Sequence, residues 1–369
     1  MGWNSWNWHG KKDISEKVVE ETIDAMVAHG LRDAGYRYVV VDGGWRDTKL
    51  GQNGELVSHP TRFPGGMKRL ADYAHARGLK FGLHVVLGTH DCGGDAVGSF
   101  GHEEAHLRQF VEWGLDFLKL DKCKFEPGWT EEAVKSTYAG WSNRLAHCGR
   151  DIVFSLSAYV YRDWYPDVGH MARTTYDIRS RIHPGGAGFD DAVPRENHLS
   201  VMAIAEQNNE AAAFGGHGYW NDPDMLVTGK QGLTDEEQKA HFALWCVMSS
   251  PLMLGNDPRV MTNAEKELLL NRECIAVNQD PTEQGRRIKV DGRTEIWAKR
   301  LGGNKVAVLL LNRDPAAARA ITLRGADVGL SGKWKARDLF AKKDLGTFDS
   351  SLTKSTPAHA AWFLLLSGL

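Results

Sequence analysis

No stretch of this 369-residue sequence comes near the roughly 18 consecutive apolar residues of a membrane-spanning helix, so no membrane partner is expected. Basic residues are not clustered and the formal net charge is −2, which removes the electrostatic footprint of a nucleic-acid-binding surface. Cysteine is scarce: there are five, at positions 92, 123, 148, 246 and 274, with no Cys-x-x-Cys pair and no Cys/His spacing suited to zinc. Cys148, Cys246 and Cys274 fall in helical patterns and are expected as buried thiols. Repeats and low-complexity segments are absent. Neither a metal nor a cofactor is expected. Met1 opens directly on a strand-like run, an abrupt start that is expected of a chain whose leader has been removed, in a secreted or periplasmic protein.

What is present is an alternation. Apolar runs end in polar residues: Val39-Val-Val-Asp42, Lys80-Phe-Gly-Leu-His84, Phe117-Leu-Lys-Leu-Asp121, Asp151-Ile-Val-Phe-Ser-Leu-Ser157, Arg173-Thr-Thr-Tyr-Asp177 and Tyr219-Trp-Asn-Asp-Pro-Asp224. Between them lie segments of helical periodicity, 15–34, 67–78, 103–113, 130–147, 196–214, 235–248 and 263–271, several opened by Ser, Thr, Asp or Asn as capping requires. Alternating strands and helices with functional side chains at strand ends predict a (β/α)8 barrel. Near Asp280 the pattern changes to short strand-like runs separated by Gly, Asp and Pro turns, from Thr294-Glu-Ile-Trp to Ala360-Ala-Trp-Phe-Leu-Leu-Leu. The expected organisation is a catalytic barrel over 1–281 and a small antiparallel β-sandwich over 282–369.

The chemistry concentrates in Phe117-Leu-Lys-Leu-Asp-Lys-Cys123. Apolar residues carry a buried parallel strand through a core, and the charged residues at its carboxyl end face a ligand. Lys119 and Asp121 are two apart, hence on one face of the strand, where the cation keeps the carboxylate ionised. An ionised carboxylate is the nucleophile of retaining glycosidases. A salt bridge at a strand end explains the same segment without any chemistry. Thirteen tryptophans suit either core packing or the apolar faces of sugars, and Trp3, Trp6, Trp8, Trp45 and Trp220 sit near strand ends.

In order and spacing, a set of motifs resembles glycoside hydrolase family 27, the α-galactosidases and α-N-acetylgalactosaminidases. The motifs are Met-Gly-Trp-Asn-Ser-Trp6, Lys80-Phe-Gly-Leu with Gly88 and Cys92, Leu118-Lys-Leu-Asp-Lys-Cys123, Arg173-Thr-Thr-Tyr-Asp177-Ile, Trp220-Asn-Asp-Pro-Asp-Met-Leu226 and Asn278-Gln-Asp-Pro281. The resemblance implies Asp121 as nucleophile and Asp177 as general acid/base. It implies that Trp6 lies against the sugar and that Asp42 and Lys119 hold ring hydroxyls. Arg173 would sit near the 2-position, with Ser157 and Tyr159 in the recognition loop and Asp224 closing the pocket. It also implies a disulfide between Cys92 and Cys123, a carbohydrate substrate and exo action on terminal sugars. For Asp222 and Asp224, capping of the Asn-Asp-Pro-Asp turn is the competing explanation.

Three departures stand out. Asp42-Gly43-Gly44-Trp45 lacks the family's second aspartate, His84 replaces the usual tyrosine, and Ala158 stands where the recognition loop carries an acid. Lost charged partners weaken discrimination for an unmodified α-galactoside. They leave α-N-acetylgalactosaminides, β-L-arabinopyranosides, α-glucosides and decorated or acidic sugars as alternatives, and they predict an enlarged site. Two other classes of function compete: a non-catalytic carbohydrate-binding relative, and a metal-dependent barrel enzyme using Asp42, His84, His90 and Asp91. Both expected catalytic acids are present, against the first. The histidines lack a ligand spacing, against the second.

Overall fold

The computed structural model describes residues 1–125, 128, 130–190, 198–216 and 218–368. It divides into two compact units, Met1–Thr174 with Met253–Met261, and Thr175–Leu252 with Thr262–Leu369.

In the first unit, strands β1 (Gly2–Asn4), β2 (Tyr38–Val41), β3 (Lys80–Val86), β4 (Phe117–Asp121), β5 (Val153–Ser157) and β6 (Met171–Arg173) lie side by side in chain order. Each pair is parallel, and Met253–Leu254 pairs parallel with β1 on its other side. Helices Glu16–Ala28, Gly66–His75, Glu103–Trp113 and Glu131–Ala146 connect successive strands. Burial on both faces accounts for the near-continuous apolar character of these strands: Val39, Val40, Val41, Leu83, Leu118 and Leu120 are all fully buried. Ser15 and Thr130 cap their helices by accepting the backbone N–H of Val18 and Ala133, as the sequence predicts. The single helix expected over 15–34 is two, because Gly30 turns into the left-handed region at φ 78° before Leu31–Ala34 resumes. Gly88 is required by close approach: a Cβ there would collide with the carbonyl of Lys124, so only glycine lets the loop after β3 pass against the loop after β4.

The order of the eight-stranded sheet ends on Trp220–Asp222, which gives the eight strands expected of a (β/α)8 barrel. Arg173 to Asp177, expected as one run, is interrupted: β6 stops at Arg173, and Asp177 begins a two-residue strand paired in parallel with His198–Leu199. The helix expected over 196–214 is ordered as Val201–Glu210, capped by Ser200; Glu196 lies outside the described residues. Helices Asp235–Val247 and Asn263–Leu269 start with reciprocal capping boxes, Thr234 with Glu237 and Thr262 with Glu265.

The C-terminal strands form a six-stranded antiparallel sheet and a two-stranded one, Arg319–Arg324 with Ser351–Thr356. Their facing residues, among them Val308, Leu310, Trp334, Leu364 and Leu366 on one sheet and Ile321 and Leu323 on the other, make one core, so the expected sandwich is present. Burying each of these side chains contributes about 1.5–3 kcal/mol. Strands Arg286–Asp291, Lys343–Phe348 and Ser351–Thr356 escape the sequence reading because they are mostly exposed and carry little apolar alternation. Lys299 closes the end of helix Arg272–Gln279: its Nζ donates to the carbonyls of Val277, Asn278 and Asp280, and burial lowers its pKa to about 8. Cys246 and Cys274 are buried, as expected. Cys148 is not: it follows the helix end and is half-buried, its thiol on the carbonyl of Arg150.

Candidate active site

Strand register assembles the first group of polar side chains. Val41 pairs with Leu83, so the next residues, Asp42 and His84, fall side by side, and His84 pairs in turn with Lys119. Two residues further along β4, Asp121 pairs with Val86 on one side and Ser157 on the other. The fold therefore places Asp42, Asp121 and Ser157 at the carboxyl ends of β2, β4 and β5, the end at which barrels of this kind build their sites, with His84 and Lys119 two residues short of the ends of β3 and β4.

Asp42 is 3% exposed and fully engaged. Its Oδ2 accepts from Lys119 Nζ at 2.8 Å and from Asn4 Nδ2 at 2.9 Å; its Oδ1 accepts the Gly43 N–H at 2.8 Å. Its own N–H donates to Ser5 Oγ. Burial acts to raise its pKa, but nearby His84 and Lys119 and the bonds from Lys119 and Asn4 hold it well below the ordinary carboxylate range. His84 lies between two carboxylates, with Nδ1 3.9 Å from Asp42 Oδ1 and Nε2 3.4 Å from Asp121 Oδ2.

Asp121 is 7% exposed. Burial raises its pKa; the bond and field of His84, the field of Lys119 and the hydroxyl of Tyr159 outweigh this and leave it lowered, so it is ionised at neutral pH. Its two oxygens differ. Oδ1 accepts the Tyr159 hydroxyl at 2.6 Å and the Lys122 N–H at 2.6 Å, while among the described residues Oδ2 has His84 alone, at 3.4 Å. Tyr159 holds a left-handed backbone at φ 68°, uncommon for a residue with a side chain. Its hydroxyl also lies 3.9 Å and 4.0 Å from the sulfurs of Cys92 and Cys123. Those two cysteines form a disulfide, with Cα atoms 4.8 Å apart.

Other sequence candidates separate by burial. Trp3 and Trp45 are core residues at 0% exposure, their indole N–H groups donating to the carbonyls of Asn256 and His84. Trp6 and Trp8 are half-buried, and so is Trp220 in the second unit. The Trp6 ring fills the space beside Gly43, where a Cβ would sit 3.0 Å from Trp6 Cζ3. The missing side chain has thus not left a hole there, contrary to the enlargement expected on that side. Ala158 is buried, and Ser157 Oγ, also buried, has no hydrogen-bond partner among the described residues. Arg173 is 2% exposed at the end of β6. Asp91 organises its own loop, accepting the Asp95 N–H, as a capping residue does.

The sequence reading missed Arg46. It is 2% exposed, and its guanidinium donates to the carbonyl of Val97 within the field of Asp91, Asp42, Asp121 and Asp95. Burial lowers its pKa to about 10. Asn4, the last residue of β1, and Ser5, just after it, hold Asp42 and were also missed, although they stand directly before Trp6.

The second unit carries Asp177 and Asp224. Asp177 is half-buried and in register with His198, whose ring packs 4.0 Å from that of His183. Tyr176 beside it is 40% exposed. Asp224 is buried and left-handed at φ 82°. Its carboxylate accepts the N–H groups of Ile178 and Met225, and its carbonyl accepts from Trp245. Asp222 accepts the Asp224 N–H. These contacts match the capping explanation, and they tie the 220–226 turn to the residue after Asp177.

Among the described residues, no helix is long and apolar enough to cross a membrane. The family description "Alpha galactosidase A" matches residues 4–280, and "Alpha galactosidase C-terminal beta sandwich domain" matches residues 291–366. The chain is 39% identical over 366 residues to Alpha-galactosidase 2 of Arabidopsis thaliana, covering 98% of this chain and 87% of the relative. It is 39% identical over 373 residues to the alpha-galactosidase of Coffea arabica, covering 100% and 93%. The crystal structure of alpha-galactosidase I from Mortierella vinacea superposes with a TM-score of 0.93 at 31% identity, covering 100% of this chain and 96% of that one. With the barrel, the sandwich and these similarities together, the chain is a glycoside hydrolase and belongs to the α-galactosidase family, glycoside hydrolase family 27.

Proposed function

We propose that this enzyme removes terminal α-galactoside-like sugars with retention of anomeric configuration, through a covalent intermediate on Asp121. The observation that carries the reading is Asp121 itself: a buried, ionised carboxylate at the end of β4, one oxygen doubly held and the other facing, among the described residues, His84 alone. In the proposed first step Asp121 attacks the anomeric carbon while Asp177 gives its proton to the departing oxygen. In the second, water attacks that carbon, Asp177 takes the water proton, and the electron pair returns to Asp121. Asp42, Lys119, Ser157 and Arg173 would meet ring hydroxyls and Trp6 the apolar face. His84 would border the reacting carbon, and Asp224 would hold the segment that bears Asp177. The two-domain organisation, 1–281 and 282–369, and an oxidising compartment suited to the Cys92–Cys123 disulfide belong to the same proposal.

A second reading keeps the chemistry and changes the sugar. Gly43 lacks the family's carboxylate, and Trp6 occupies the adjoining space, which favours weak turnover of simple α-galactosides and better turnover of another glycoside. Nitrophenyl glycosides of α-galactose, α-N-acetylgalactosamine, β-L-arabinopyranose and α-glucose separate the readings. A kcat/KM on the order of 10⁴ M⁻¹s⁻¹ or more on the α-galactoside supports the first. Preference for another member supports the second, and release from none contradicts both.

A further inference from the structure

We infer that Tyr159 is a positioning residue for the nucleophile, that Asp121 Oδ2 is the oxygen that bonds to the anomeric carbon, and that Tyr159 matters most when this bond breaks. The inference rests on the assignment of Asp121 as nucleophile and goes beyond it by distinguishing the two oxygens and the two half-reactions.

Hydrogen-bond capacity separates the two oxygens. Oδ1 accepts two short bonds, from the Tyr159 hydroxyl and the Lys122 N–H, both at 2.6 Å. Its lone pairs are committed. Among the described residues Oδ2 faces only His84, at 3.4 Å, and keeps a lone pair for carbon. Tyr159 does not reach this position by relaxed local geometry. Its backbone is left-handed, and its hydroxyl lies within 4.0 Å of both sulfurs of the disulfide that bridges the loops after β3 and β4. The surrounding structure sets the conformation, as at sites where strain is retained for a purpose.

Charge then decides which step depends on the hydroxyl. In the free enzyme Asp121 is an anion, and Tyr159 donates a charge-assisted bond. In the intermediate Oδ2 is bonded to carbon, Oδ1 is an ester carbonyl with little charge, and the same bond is weaker. When water displaces the sugar, the C–Oδ2 bond breaks and negative charge returns to the carboxylate. Tyr159 regains its strong bond as this happens, so it stabilises the leaving carboxylate. In the first step it holds the geometry while slightly restraining the attack.

Tyr159→Phe keeps the ring and removes the hydroxyl. On an activated aryl glycoside with a good leaving group, kcat is expected to fall by about 10–100-fold, the worth of one bond to a charged group. KM is expected to fall with it, because the intermediate accumulates, and a burst of aryl alcohol should precede steady state. The acid limb of kcat/KM, which reports the free enzyme, should move to higher pH, since a donor that favours the Asp121 anion is gone while His84, Lys119, Lys122, Asp42 and Arg46 remain around it. A fall in kcat/KM with KM unchanged or raised, no burst and an unmoved acid limb would overturn the inference and leave Tyr159 a packing residue. Thermal unfolding of the variant with the disulfide intact establishes that it folds. Asp121→Gly provides the separation from the underlying assignment: if that variant turns over normally, the nucleophile is misassigned; if it is dead while Tyr159→Phe lacks the burst, the nucleophile stands and only the inference fails.

Discussion

The ring of Trp6 rests against Gly43 so closely that a Cβ at position 43 would lie 3.0 Å from Trp6 Cζ3. The two positions are coupled. The missing side chain at 43 and the indole beside it are one arrangement, and an acid placed at 43 alone meets the ring. From the sequence, Gly43→Asp reads as a simple gain of a sugar-binding carboxylate. With the ring in place, it is expected to cost about 1–3 kcal/mol of stability through overpacking. Trp6→Leu should relieve part of that cost in the double variant. Thermal denaturation of the two single variants and the double variant measures the coupling, and strictly additive effects would refute it.

The Lys119–Asp42 pair makes stability depend on pH with a definite sign. Asp42 has a depressed folded-state pKa, so its contribution is fully present above the unfolded value of 3.8 and is lost as pH falls through the lower folded value. Lys119→Ala leaves a buried carboxylate without its cation, at a cost of about 3–5 kcal/mol. The Asp42 pKa should rise, and the acid-unfolding midpoint should move to higher pH. Circular dichroism across an acid titration measures this. A midpoint unchanged from that of the parent would mean that Lys119 does not support Asp42.

Asp177→Ala should slow substrates with poor leaving groups far more than activated aryl glycosides, because only the former need the proton. Azide should partly restore turnover of the activated substrate by taking the place of the base-assisted water. Equal losses for both classes without rescue would remove Asp177 from the acid/base role.

The disulfide closes a sequence separation of 31 residues. Replacing Cys92 by Ser is expected to cost about 3–4 kcal/mol on the chain-entropy account. A fall in Tm for the variant, and a similar fall for the parent protein in excess dithiothreitol, are the expected results. Unchanged values in both would show that the bridge is not formed in solution.

Much of this molecule is readable from its residues because parallel strands buried on both faces are long apolar runs, and the residues just past their carboxyl ends are forced to be polar. Asp42, just past β2, and Asp121, the last residue of β4, were visible for that reason, and His84 and Lys119 as polar interruptions inside the apolar runs of β3 and β4; the pairing of Leu83 with Val41 and of His84 with Lys119 then brings them together. The terminal strands were hidden where exposure erases alternation, as in Lys343–Phe348. Arg46 was hidden because a lone arginine after a tryptophan looks like a surface residue; only the fold reveals it as buried amid carboxylates. The Trp6–Gly43 contact was hidden because the absence of a side chain says nothing about which neighbour fills the space. Asp222 shows the reverse case, since the turn-capping propensity of Asn-Asp-Pro-Asp is what its carboxylate expresses in accepting the Asp224 N–H.

The most direct test of the central claim is to trap the intermediate. A fluorinated galactosyl fluoride, which forms the covalent intermediate readily and releases it slowly, should add one fluorosugar mass to the intact protein. Proteolysis and tandem mass spectrometry should place that mass on Asp121 in the peptide containing Phe117 to Cys123. A label on another carboxylate, or turnover with an inverted first-formed anomer and no label, would contradict the account.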